Sequence, residues 1–248
     1  MMCSNLFVRP KPISNPKVRL YCFPFAGGGS NTFFSWINKF CDEVELVLIQ
    51  PPGRGTRMLE VPHDDMDSLI NELMQYADFI TQTPYLFFGH SLGCRVAYEL
   101  CCRFKSTRKP LPAYFIASAS RAPHLKSEQE PSHDLPDGDF IKTLERLNGT
   151  PKEVLGNEEL MSLLLPLIRA DFKIAETYFA NQIKMPFPML ICHGKNDSTV
   201  NAKKLDAWGD LTSEGHRLVE FEGGHFFINE NSEQITSCIS NLLNEIKV

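Results

Sequence analysis

Tyr85-Leu86-Phe87-Phe88-Gly89-His90-Ser91-Leu92-Gly93 carries a strand, a sharp turn and a helix start in unbroken succession. The apolar run Tyr85–Phe88 reads as a buried strand. Beyond Gly93, the positions Val96, Ala97, Leu100, Cys101 and Phe104 fall at helical spacing. Between the two lies Gly-x-Ser-x-Gly, and in a strand–turn–helix context that pattern predicts a nucleophile elbow. The glycines flank the serine because the turn has no room for side chains there. Such a turn lifts the Ser91 hydroxyl above the sheet edge. It also aims the Leu92 N–H at the place where a reacting carbonyl oxygen would sit.

Working outward, Val18–Phe23, Val44–Ile49, Ala113–Ser118, Met189–Cys192 and Leu218–Phe221 read as further strands, mostly continuous and apolar. Helical candidates between and after them include Phe33–Phe40, Ser68–Ile80 and Gln234–Ile246. Continuous apolar strands alternating with helices predict an α/β fold, a mostly parallel central sheet covered by helices on both faces. No internal repeat or low-complexity tract interrupts the chain, so one domain over residues 1–248 is expected. The alternation breaks once. From about Ala122 to Met185 there is no convincing strand, only helical spacings through Phe140, Leu144 and Leu147, Leu160–Ile168, and Phe172–Phe179. An insertion of this kind is expected to sit as a lid over the carboxyl ends of the strands, with a plain helical layer on one face as the alternative.

Composition narrows the function classes. The chain has 248 residues, 43% of them hydrophobic and 22% charged, enough for a sizeable core without metals or disulfides. A formal net charge of −5, with no basic run, argues against nucleic-acid binding. No apolar stretch approaches the length of a membrane span. The start, Met1-Met2-Cys3-Ser4-Asn5, lacks the charged and apolar regions of a signal peptide. Of the eight cysteines, Cys22, Cys101 and Cys192 lie in apolar runs, and Cys101-Cys102 has no Cys-x-x-Cys spacing. Reduced thiols and a cytoplasmic location are therefore expected. A monomer is the expected state, with no metal and no bound organic cofactor.

A serine hydroxyl needs a base. His225, in Glu222-Gly223-Gly224-His225-Phe226-Phe227 after the last strand, is the candidate, since two glycines free the imidazole to reach across the sheet top. His90 is expected to pack or bond locally. His63, His124 and His216 stand in polar surroundings, His133 precedes a turn-rich stretch, and His193 ends a strand. The acid that orients the base is assigned to Asp197, in the turn after Met189–Cys192. The strand after the nucleophile helix, Ala113–Ser120, offers no carboxylate, and Asp206 and Asp210 lie too far into a helical stretch. The second oxyanion donor is expected in Pro24-Phe25-Ala26-Gly27-Gly28-Gly29-Ser30, at the Ala26 N–H, with Phe25 as the neighbouring alternative. This loop lacks the Gly-Lys-Ser/Thr ending of a nucleotide site.

Together, Cys22-Phe23-Pro24-Phe25-Ala26-Gly27-Gly28, Gln50-Pro51-Pro52-Gly53-Arg54-Gly55, Gly89–Gly93, His133-Asp134-Leu135-Pro136-Asp137 and Gly223-Gly224-His225-Phe226 resemble the type II thioesterases that accompany polyketide and nonribosomal peptide synthases. Stand-alone medium-chain fatty acyl thioesterases share the pattern. The resemblance spans about Leu20 to Phe227 and implies an α/β-hydrolase fold with a triad of Ser91, Asp197 and His225. It implies oxyanion donors on the backbone of Ala26 and Leu92. It also implies hydrolysis of acyl thioesters held on the phosphopantetheine arm of an acyl or peptidyl carrier protein. On that reading the acyl chain lies between lid and sheet, with Phe25, Phe140, Leu144, Met161, Leu164 and Phe172 as candidate wall residues. Arg54, Arg57 and Arg121 become candidates for facing an acidic carrier, with solvated surface arginines as the alternative. Cys94 is expected to pack rather than react. A carboxylesterase or lipase acting on free oxygen esters, a non-catalytic hydrolase-shaped binding protein, and acyl transfer to an acceptor other than water remain the competing readings.

Overall fold

The computed structural model describes residues 5–128 and 130–245. The expectations that fall on Met1–Ser4 and on Ile246 lie outside them. Seven strands form one sheet: β1 (Phe7–Val8), β2 (Val18–Phe23), β3 (Val44–Ile49), β4 (Tyr85–His90), β5 (Tyr114–Ser118), β6 (Met189–Gly194) and β7 (His216–Phe221), in the order β1-β3-β2-β4-β5-β6-β7. β1 is antiparallel to β3, and every other neighbouring pair is parallel. The sequence reading finds six of these strands and misses β1, whose two residues are too short to show a period.

The parallel strands are buried on both faces, and alternate residues feed two separate cores. Tyr21, Phe23, Phe87, Phe115 and Ile191 face one side, where they meet α1 (Met66–Met74), α2 (Ala77–Thr81) and α3 (Leu92–Ser106). Leu20, Cys22, Phe88, Ile116 and Cys192 face the other, against Phe33, Trp36 and the apolar stripe Ile235, Ile239 and Leu242 of α8 (Ser232–Glu245). The helix expected at Phe33–Phe40 is a shorter 3₁₀ stretch, Ser30–Trp36. The one expected over Ser68–Ile80 is divided between α1 and α2.

Between β5 and β6 the chain builds α4 (Asp137–Leu147), α5 (Lys152–Leu155) and α6 (Glu158–Thr177), and no strand forms there among the described residues. These helices have a small core of their own, made of Phe140, Leu144, Met161, Leu165 and Ile168. Their underside roofs a cavity at the carboxyl ends of the strands. A short helix, α7 (Ala202–Asp206), follows β6.

Candidate active site

Ser91 stands between β4 and α3 at φ 55° and ψ −114°, a strained conformation for a residue with a Cβ. The packing around it enforces the turn. A Cβ on Gly93 would come within 2.1 Å of the Phe23 carbonyl oxygen, and one on Gly89 within 2.5 Å of the Cys94 amide nitrogen. Only glycines let α3 descend this close to β2 and to its own strand. The Ser91 N–H is anchored on the Ser118 carbonyl at 2.8 Å, so β5 braces the elbow from the side.

The base and the acid arrive from two neighbouring strand ends. The loops after β6 and β7 are laced together by Lys195 N–H to Phe221 O (2.9 Å) and Asn196 N–H to Gly223 O (2.9 Å). They pass so closely that a Cβ on Gly194 would sit 2.3 Å from Gly224 O. This brings His225 Nδ1 to 2.8 Å from Asp197 Oδ2 and His225 Nε2 to 3.1 Å from Ser91 Oγ. The Asp197 carboxylate can only accept, so Nδ1 carries the proton and Nε2 turns its lone pair toward the serine.

Asp197 is buried, and burial alone would raise its carboxyl. Hydrogen bonds and charge from His225, joined by Thr199, outweigh that and hold it below the ordinary carboxylate value. Thr199 gives its N–H and its hydroxyl to Asp197 Oδ1 at 2.9 and 2.7 Å, and its Oγ1 lies 3.1 Å from His225 Nδ1.

His90 also reaches beyond its own turn. Its Nε2 donates to the His225 carbonyl at 3.0 Å, leaving Nδ1 to accept from the Ser118 hydroxyl at 2.9 Å. Burial, and the neighbouring His225, push the imidazole down to about 3, so it is neutral.

Ser91 and His225 open on a cavity of about 540 Å³, within the usual range of small-molecule sites. Phe25, Leu144, Leu164, Ile168 and Phe172 give it an apolar wall, and Ala26 borders the same space. The Leu92 N–H is the first of α3, where no preceding turn supplies an acceptor.

Residues 18–243 match the thioesterase domain family. The chain belongs to that family. It is 34% identical over 230 residues to the gramicidin S biosynthesis protein GrsT of Aneurinibacillus migulanus, covering 92% of this chain and 90% of that one. It is 33% identical over 243 residues to the thioesterase PikA5 of Streptomyces venezuelae, covering 97% and 86% respectively. The solved type II thioesterase BorB, from the borrelidin biosynthetic cluster, superposes with a TM-score of 0.85 at 31% identity, over 95% of this chain and 96% of that one. The enzyme is thus a thioester hydrolase on an α/β-hydrolase fold.

Some sequence expectations need correction. Phe140 and Met161 do not border the thioesterase cavity. Both are fully packed inside the α4–α6 core, because helical spacing reveals a buried face without saying what buries it. Arg54 and Arg57 are not free to face a partner. Arg57 is buried and paired with Glu60 and Glu72. Arg54 makes a bidentate pair with Asp171 of α6 at 2.6 and 2.9 Å and donates to Gly28 O at 2.9 Å. Arg121 does reach the cavity wall. His124 is largely buried beside Asp210 rather than solvated. Cys94 is packed as expected, its Sγ near Gly89 O and Ser118 O, with burial pushing the thiol up to about 12.

Sequence reasoning missed Asp171 and Thr199. Asp171 Oδ2 accepts from the Gly27 N–H at 2.6 Å, so α6 holds the loop that carries Ala26. No local pattern marks an aspartate whose partners lie more than a hundred residues away. Thr199 was within reach, two residues past Asp197 in a turn where a hydroxyl closes on the preceding carboxylate.

Proposed function

We propose that this thioesterase releases acyl groups from the phosphopantetheine thiol of a carrier protein, with Ser91 as nucleophile, His225 as general base and Asp197 as the carboxylate that orients the imidazole. The observation that carries this reading is the unbroken hydrogen-bonded chain from Asp197 through His225 to Ser91, ending at the cavity. Ser91 Oγ attacks the thioester carbonyl carbon while His225 Nε2 takes its proton. Charge collects on the carbonyl oxygen, where the Ala26 and Leu92 amides are the donors. Collapse of the adduct breaks the carbon–sulfur bond, and the imidazolium returns its proton to the sulfur. Water then attacks the acyl-serine, again deprotonated by His225, and frees the acid and Ser91.

The electrostatics favour this cycle. Asp197 is ionised before His225 becomes charged, so the imidazolium forms beside a carboxylate already in place. A thiol, with a pKa of about 8.5, is a far better leaving group than an alcohol or amine. The oxyanion donors and the base therefore suffice without a separate acid for the leaving group. A carrier-borne substrate suits the cavity, whose apolar lid side accommodates an acyl chain. The relatives named for gramicidin S and borrelidin biosynthesis support the same choice. The lid role of α4–α6 belongs to this proposal, as does the cytoplasmic setting, which the free cysteines of the described chain support.

The test is a panel of acyl-carrier thioesters of graded chain length, with matched oxygen esters alongside. Thioesters on the carrier should be turned over fastest, and Ser91→Ala should abolish that turnover. Asp197→Asn should lower kcat by about a thousandfold or more. Full activity in Ser91→Ala, or a preference for the free oxygen esters, overturns the reading.

A further inference from the structure

The cavity has a second wall that the hydrolytic cycle leaves unused. Arg95 lies in the first turn of α3, four residues beyond Ser91, the residue that precedes that helix. It borders the same cavity as Ser91 and His225. One terminal nitrogen donates to the Ala175 carbonyl of α6, while Nε is buried with no hydrogen-bond partner. Arg95 has no ion pair among the described residues. The guanidinium is partly withdrawn from water at the cavity wall, and although the Glu176 carboxylate offsets some of its charge, no carboxylate is in ion-pair contact with it.

Arg121 stands on the same wall. The chain is turned to deliver it: Ala119, just past β5, takes φ 52°, a left-handed conformation unusual for alanine, and is held by its N–H on Cys192 O at 3.0 Å. Arg121 Nε donates to Leu125 O at 3.1 Å, and Arg121 likewise has no ion pair among the described residues. Burial, and then the positive charge of Arg121, push Arg95 down to about 9. Two carboxylates share the cavity lining. Glu176 is committed elsewhere: its oxygens accept from Ser132 N–H and Oγ–H, from His133 N–H, and lie 2.5 Å from His133 Nδ1. Glu130 is exposed. Neither is paired with the two arginines.

We infer that Arg95 and Arg121 form an anion subsite beside Ser91, and that the enzyme accepts short acyl groups ending in a carboxylate, of the malonyl and succinyl type. The inference rests on the thioesterase reading above and adds the substrate class. The two groups share one enclosed space and are close in sequence: Ser91 and Arg95 are four residues apart and both border the cavity, which suits a short diacid rather than a long chain. The phosphate of the pantetheine arm is the other source of negative charge. It is separated from the thioester sulfur by the whole length of the arm, whereas Arg95 is four residues from the nucleophile.

The experiment compares succinyl and butyryl thioesters, each on pantetheine and on phosphopantetheine, with the full chain and with Arg95→Met and Arg95→Lys. The quantity read is the succinyl-to-butyryl ratio of kcat/KM. Loss of a charge-assisted contact should lower that ratio by about tenfold or more in Arg95→Met, and Arg95→Lys should restore most of it. An equal ratio in all three proteins overturns the subsite. So does an effect of Arg95→Met on butyryl substrates that appears only when the arm carries phosphate, because the anion is then the phosphate. A binding titration of the Ser91→Ala protein with the same thioesters is independent of turnover. Tighter binding of the succinyl compound that disappears with Arg95→Met upholds the subsite even where hydrolysis fails. Active butyryl turnover with no succinyl preference upholds the thioesterase and removes the subsite.

Discussion

At the scale of single residues, the site depends on two histidines with opposite duties. In the proposed cycle His225 alternates between neutral and charged forms, whereas His90 stays neutral. The His90 Nε2–H holds the His225 carbonyl, and its Nδ1 accepts from Ser118. A second proton on His90 would set an N–H against the Ser118 hydroxyl that now donates to it. Burial, with His225 nearby, lowers its folded value to about 3, well below the ordinary value for histidine. Between those two values the unfolded chain binds a proton that the folded chain refuses. Stability from this residue is therefore complete above about pH 6.5 and is lost as pH falls toward the folded value. The expected slope is up to about 1.4 kcal/mol per pH unit. Asp197 and lowered glutamates such as Glu45 and Glu72 work in the same direction toward the acid end of this range. They are common to wild type and any His90 variant, so the difference between the two over about pH 4.5–6.5 reports the histidine. Denaturant unfolding of wild type and His90→Asn across that interval should give a steeper decline for wild type. Parallel curves would mean that His90 titrates normally and does not brace the His225 loop as a neutral ring.

At the scale of elements, the inserted helix α6 and the loop after β2, which carries the proposed oxyanion donor Ala26, are joined through one carboxylate. Asp171 takes the Gly27 N–H and both terminal nitrogens of Arg54, which in turn holds Gly28 O. The Ala26 amide is adjacent to this clamp. Asp171→Asn leaves Arg54 buried without its anion, at an expected cost of about 3–5 kcal/mol in stability. It should also lower kcat by about tenfold, with KM nearly unchanged, because a loosened oxyanion loop weakens the transition state more than the bound substrate. Rates normalised to the fraction of Ser91 labelled by a fluorophosphonate separate the two effects. A normal kcat per labelled site would leave the pair a purely structural role. This clamp also marks the limit of what the sequence discloses. The strands were legible because short apolar runs such as Tyr85–Phe88, closed by turn residues, read locally as buried strands. The elbow was legible because Gly-x-Ser-x-Gly is contiguous and lies between an apolar run and a helical one, even though Gly93 is required by Phe23, far away in the chain. In the sequence Arg54 reads as a surface charge and Asp171 carries no signal at all, since nothing local reveals that they meet. Phe140 and Met161 showed the right period and the wrong neighbour, because a lid with its own core has two apolar sides.

At the scale of the whole molecule, the sheet brings residues distant in the chain to one edge, and on the proposed function the same edge receives a carrier protein. The distribution of charge limits how that encounter proceeds. The chain is net negative by five. The arginines that follow strand ends, Arg54 and Arg57, are consumed by internal pairs. Surface cations such as Lys173, Lys195 and Arg169 sit against Asp64, Glu222 and Asp137. No broad positive field is left to draw in an acidic partner from a distance. Meanwhile Met58, Leu59, Val61 and Leu163 are exposed apolar residues, and contacts of that kind act only at short range. The kcat/KM for an acyl-carrier substrate should therefore change by less than about threefold between 0.05 and 0.5 M salt, whereas steered association falls steeply over such an interval. The same series with an acyl-pantetheine substrate, which has no protein surface to steer, supplies the reference. A steep fall for the carrier substrate alone would require a cationic docking face.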